Sequence, residues 1–155
     1  MNNLHDLPSF IDYFRQLSQQ HKKLAGFAHG PASRIFGLDR SSISYPALWL
    51  ETPSFTPEDN GASNITCTGS SAIVILKDSD NEYEQEDAAW AETLEILYSV
   101  LSRIKKDNRG FELSKKPIDP VSPLFVSNLV GWRYEFDIQE PIDLCYHPED
   151  WEVAE

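Results

Sequence analysis

The stretch Val130-Gly131-Trp132-Arg133-Tyr134-Glu135-Phe136-Asp137-Ile138-Gln139 alternates Val, Trp, Tyr, Phe and Ile with Gly, Arg, Glu, Asp and Gln. Successive side chains of a strand point to opposite faces of its sheet, so this period of two predicts a half-buried antiparallel strand. Such a strand must lay its apolar face against something. Upstream, Trp90, Leu94, Leu97, Leu101 and Ile104 recur at steps of four and three, one apolar stripe of a helix. Acids precede this helix, Arg103, Lys105 and Lys106 end it, and Asn108-Arg109-Gly110 closes it, an arrangement that suits the helix dipole.

Leu7, Phe10, Ile11, Phe14 and Leu17 predict a first helix, with Asp6 as cap, Pro8 in its first turn and Gly26 as a left-handed stop. Residues 26–44 read as irregular linking structure. Tyr45 to Glu51 reads as a strand whose Pro46 puts its start on an edge. Two prolines and an Asn-Gly pair make 52–62 a long exposed connection. From Ser63 a strand runs to the β-branched segment Ala72–Leu76, with Gly69 suggesting a bulge. Pro117, Pro120 and Pro123 delay pairing, and Phe125 to Asn128 can begin a strand that turns near Asn128. The expected fold is one α+β domain over residues 1–155, in the order α-β-β-α-β-β. Both helices pack on one face of a small, mainly antiparallel sheet, and an acidic tail follows from about residue 147.

Composition narrows the function classes. The chain has 155 residues, 41% hydrophobic and 12% aromatic, enough for a buried core and too apolar for disorder. Its net charge of −12 opposes a non-specific grip on nucleic acid or anionic lipid. Two cysteines, Cys67 and Cys145, cannot make a disulfide framework and point to a reducing compartment. Residues 1–12 have neither the basic nor the apolar region of a signal peptide, and no apolar run approaches a membrane span. The expectation is a soluble protein of a cytoplasm or a virion, with no membrane contact and no direct sequence-specific binding of nucleic acid.

The charge is uneven. Residues 1–50 carry a net +2, residues 51–100 a net −10 and residues 101–155 a net −4. Asp78, Asp80, Glu82, Glu84, Glu86 and Asp87 form one acidic run, and eight acids with no cation follow Arg133. Residues 101–133 between them are net positive, including Lys115 and Lys116. A solvated surface accounts for such runs, and so does complementary charge between identical subunits.

Chemistry-bearing motifs are sparse. Cys145 and His147 share a strand face, but no basic group is nearby in sequence to activate a thiol, so a packed cysteine and a surface histidine are the simpler account. Asp143 and His147 have helical spacing, which Pro148 contradicts. His5, His21, His29 and His147 fit no zinc pattern. Asp78 to Glu82 begins like a calcium loop, but Tyr83 stands at the glycine position and Ala89 at the final glutamate. No glycine pattern for phosphate binding occurs. Lys115-Lys116-Pro117-x-x-Pro120 resembles a polyproline ligand, but a stiff connection between a helix and an edge strand is the favoured account. No catalytic residue, metal site or cofactor is therefore assigned. Trp151 lies in the acidic tail His147-Pro148-Glu149-Asp150-Trp151-Glu152-Val153-Ala154-Glu155, and is expected to dock on its own domain or on a neighbouring subunit.

Asn128-Leu129-Val130-Gly131-Trp132-Arg133-Tyr134-Glu135-Phe136, ending in Pro141-Ile142-Asp143-Leu144-Cys145-Tyr146, resembles small phage-related structural proteins. With the element order over residues 7–145, the chain is similar to tail-terminator and tail-completion proteins of long-tailed phages. That resemblance covers most of the chain by topology and residues 128–146 by motif. It implies a non-enzymatic α+β subunit that self-associates into a ring and contacts tail-tube proteins. It carries no catalytic residue, and the long 52–62 loop is a departure from it. Asp78, Asp80, Glu82, Glu84, Lys115, Lys116 and Trp151 are the candidate interface residues. The other readings are an intracellular adaptor or regulatory domain, and a small enzyme whose site no motif reveals.

Overall fold

The computed structural model describes residues 7–31, 43–59, 61, 65–79, 83–113, 116–121, 129–141, 144 and 146–152. The chain is α+β. Its elements are α1 (Leu7–Gln20), β1 (Gly26–His29), β2 (Ala47–Leu50), β3 (Ser54–Asp59), β4 (Ile65–Asp78), α2 (Tyr83–Asp107), β5 (Phe111–Glu112), β6 (Ile118–Val121) and β7 (Leu129–Pro141), followed by a 3-10 turn, Pro148–Asp150.

The sheet is built around one long pair. β4 and β7 run antiparallel in unbroken register from Thr66 opposite Pro141 to Asp78 opposite Leu129. Along the other edge of β4 lie β2 and then β3, both antiparallel to it. Leu50 opposes Ile73 and Ser54 opposes Ser70, so Glu51, Thr52 and Pro53 face two residues, a one-residue bulge. β5 and β6 line the far edge of β7, and β1 pairs with β2 in parallel.

The apolar faces follow from register. Leu48, Leu50, Ile73, Ile75, Tyr134, Phe136 and Ile138 share one buried cluster with Phe10, Tyr13, Phe14 and Leu17 of α1 and Ile96, Leu97, Val100 and Ile104 of α2. Phe10, Phe14, Phe111 and Phe136 meet ring to ring at 5.3–6.5 Å, in tilted, stacked and edge contacts that add to the area they bury. Trp49, Val74, Leu76 and Leu129 form a second, smaller cluster. The helices are antiparallel to each other. Tyr13 donates to Asp107 at 2.8 Å, the His21 ring meets the Ser99 hydroxyl at 3.1 Å, and Lys23 reaches Glu95 at 4.0 Å.

The structure agrees with the alternating strand: Val130, Tyr134, Phe136 and Ile138 are buried, while Arg133, Glu135 and Asp137 lie half-exposed on the opposite face. It departs from the sequence reading elsewhere. Residues 26–29 form β1 rather than irregular chain. Gly26 does not stop a helix: a β-carbon there would lie 2.2 Å from the Ser44 carbonyl oxygen, so its role is a close backbone approach. β2 is interior rather than an edge. The exposed 52–62 connection contains β3, whose six residues are all exposed and which hydrogen-bonds along β4. Gly69 makes no bulge. The Phe55 ring lies across it instead, 3.1 Å from where a β-carbon would stand. Pro120 sits inside β6, on a sheet edge where its missing N–H costs no ladder bond. The helix stop is as read, with Asn108 at φ 47° and Gly110 at φ 83°. The strand start at 125–128 lies outside the described residues.

Candidate assembly interface

Helix α2 carries its charge in two blocks. Glu84 and Asp87 are exposed and Glu86 half-exposed in its first turns, and the exposed Asp78 ends β4 just before them. Lys105 and Lys106 are exposed in its last turn. At 1.5 Å per residue, the roughly 20 residues between these blocks place them about 30 Å apart. Between them the helix is tied down by the pairs Lys77 with Glu92 and Lys23 with Glu95, and Arg103 pairs with Asp107 within the helix. Among the described residues no ion pair engages Glu84, Asp87, Lys105 or Lys106.

Asp107 is the anchor of the basic end. Partial burial opposes its charge, but hydrogen bonds from Tyr13 and from Arg103 at 3.0 and 3.1 Å outweigh that and hold its carboxyl below the usual range. The same burial, reinforced by the Asp107 carboxylate, pushes the Tyr13 phenol far up. The Arg109 guanidinium lies 4.9 Å from the centre of the Tyr13 ring. Next to this cluster, between α1 and α2, is a groove of about 260 Å³ with Leu17 and Val100 at its floor and Gln20, His21, Arg103 and Lys106 around it. Burial, and then the Lys23 charge, lower the pKa of His21 from its ordinary 6.5.

A polar patch lies on the sheet at Glu51, Arg133 and Glu135. Arg133 donates to Glu51 at 2.9 Å and to Glu135 at 2.8 Å. Desolvation works against the guanidinium charge, but the two carboxylates outweigh it and raise its pKa. A shallow cleft of about 220 Å³ runs here beside Ser54, Ser70 and Ser71. The arginine is already matched by two acids, which leaves the cleft with one net negative charge among serine hydroxyls.

Of the seven residues singled out in the sequence, Asp78 and Glu84 stand together near the start of α2, whereas Asp80, Glu82 and Lys115 lie outside the described residues. Lys116 is half-buried and already engaged by Asp137 at 2.9 Å. Trp151 does not dock on its own domain: it is 64% exposed and stacks on Tyr146, itself 65% exposed, at 6.2 Å. Leu144 in the same segment is also exposed. His147 pairs with Glu149, and Asp143 and Cys145 lie outside the described residues. Cys67 is buried in β4. Among the described residues no three His, Cys, Asp or Glu side chains come together as a metal-binding group, and no described helix is long and apolar enough to cross a membrane.

The α1–α2 groove and the Arg133 pairs escaped the sequence reading. The groove and the Arg133–Glu51 pair join residues distant along the chain, and only the unusual Gly-Trp-Arg run hinted at the latter. Each residue of that run has a packing role. Gly131 admits the Ile75 carbonyl, and Trp132 packs edge-on to Trp90 at 5.2 Å and donates to its carbonyl at 3.0 Å. Arg133 ties β7 to Glu51, the residue that follows β2. No protein-family profile matches the chain, and no curated protein matches it significantly.

Proposed function

We propose that this chain is a non-enzymatic structural subunit of the phage or prophage tail-terminator or tail-completion kind, assembling with copies of itself into a ring and contacting tail-tube proteins. The observation that carries the reading is the segregation of charge along α2, acidic at one end and basic about 30 Å away. Ring closure needs two unlike surfaces on each subunit, because a heterologous contact repeats head to tail. The separation is several times the roughly 10 Å screening length at 0.1 M salt, so the ends do not neutralise each other within one copy and stay available to neighbours. With both helices on one face, the charged end blocks and the polar strand face are left for contacts. An acidic lumen would repel duplex phosphates and let DNA pass without sticking. The subunit would work in the host cytoplasm and then in the virion.

The test is the native mass of the full chain as a function of salt, followed by imaging of the assembled species. Multimers that dissociate as salt rises, with annular particles, support the reading. A strict monomer at low salt and high protein concentration defeats self-assembly and favours an adaptor that binds a foreign partner.

A further inference from the structure

We infer that the C-terminal segment of one copy seats in the α1–α2 groove of a second copy, with the Trp151 ring on Leu17 and Val100 and its flanking carboxylates facing Lys106 and Arg103. This rests on the self-assembly reading and names a contact within it. The segment has the chemistry of an arm. Its three large apolar side chains, Leu144, Tyr146 and Trp151, are 59%, 65% and 64% exposed. Exposed tryptophan and tyrosine in a cluster are the side chains that carry most binding energy when a partner covers them. Trp151 is bracketed by Glu149, Asp150 and Glu152.

The groove is complementary in shape and sign. Its volume of about 260 Å³ suits one large aromatic side chain and falls below the usual size of a small-molecule pocket. Its floor is aliphatic and its wall carries two cations. Asp107 engages Arg103, which leaves Lys106 as the stronger attraction for an incoming acid. Lys22 and Lys23 follow His21 at the groove's end, though Lys23 also reaches Glu95. Burying the indole on Leu17 and Val100 supplies affinity, and the carboxylates set its direction and salt dependence.

Two full-length variants test the contact, Trp151→Ala to remove the arm and Lys106→Glu to spoil the groove. Both positions are exposed, so thermal unfolding of each variant is expected to match the wild type. Sedimentation of each variant alone is expected to show self-association weakened by about tenfold or more, the loss typical of a central interface residue. An equimolar mixture pairs one copy's intact arm with the other's intact groove, and is expected to restore a two-chain complex that neither variant forms alone. If either variant assembles like the wild type, this contact is overturned while self-assembly through other surfaces stands. A mixture no stronger than its components also overturns it, as does loss of groove NMR shifts in Trp151→Ala that is independent of concentration, the mark of docking within one chain. A wild type that is monomeric throughout defeats both this contact and the assembly reading.

Discussion

A β-carbon placed on Gly131 would lie 1.7 Å from the Ile75 carbonyl oxygen and 2.8 Å from its carbon, both backbone atoms of the neighbouring strand. No flexible side chain can yield there, so the two longest strands must part. Gly131→Ala is expected to cost about 3 kcal/mol in denaturant unfolding, at the upper end for overpacking a close contact. An unchanged midpoint would mean that β7 shifts freely along β4. Two titrating groups act at the same scale. Asp107 has its folded pKa below its unfolded value, so its contribution is complete above about pH 4 and is lost as pH falls through the folded value. His21 is also lowered, which penalises its protonated form in the fold. Stability is therefore full above about pH 6.5 and declines as pH falls toward the folded pKa. Asp107→Asn is expected to flatten the acidic limb of the stability profile and His21→Gln the limb near neutrality. Coincident profiles for variant and wild type would remove that residue from the linkage.

Elements differ in how firmly they are held. The segment Ile73–Leu76 is buried on both faces and paired on both edges, with Ile73 and Ile75 packed against the helices and Val74 and Leu76 in the second cluster. β3 pairs with β4 alone and buries neither face. Amide exchange is expected to be slowest, near the global unfolding limit, in the first and faster by orders of magnitude at Thr56 and Glu58. Equal protection in both segments would contradict a peripheral β3. The same contrast explains what the sequence made legible. β7 and the two helices announce themselves through periodic burial, because each has one wet and one dry side. The α2 stripe was nonetheless slightly displaced. Ala89, Thr93, Ile96 and Val100 are buried while Trp90, Leu94 and Leu101 are only partly so. Thr93 is tolerated there because its hydroxyl donates to the Ala89 carbonyl at 2.7 Å. β1 and β3 leave no such pattern, being half-exposed and fully exposed, and β3 contains Pro57, which contributes no donor. Their existence depends on edges supplied by β2 and β4. The α1–α2 groove was illegible for a related reason, since Leu17 and Lys106 meet only after the helices pack.

Across the whole molecule, the net charge of −12 is an asymmetry rather than a uniform coat. Asp78, Glu84 and Asp87 crowd one end of α2, and like charges so placed repel unless something opposite approaches them. An approaching cationic surface relieves that repulsion, and added salt does the same without any contact. Reversal of the acidic end and added salt should therefore converge. The triple variant Asp78→Lys, Glu84→Lys, Asp87→Lys is expected to self-associate more weakly than wild type at low salt and to show a smaller salt dependence of assembly. Lysines at a helix N-terminus oppose its dipole by about 0.3–1 kcal/mol each, so a modestly lower unfolding midpoint with unchanged circular dichroism is expected alongside. The two effects separate by concentration, because a folding defect is independent of it in a monomer whereas an interface defect recovers as protein is added. A reversed variant that still assembles at low salt with wild-type strength would assign the acidic end to solubility alone, and leave the basic groove and the aromatic tail to make the contact.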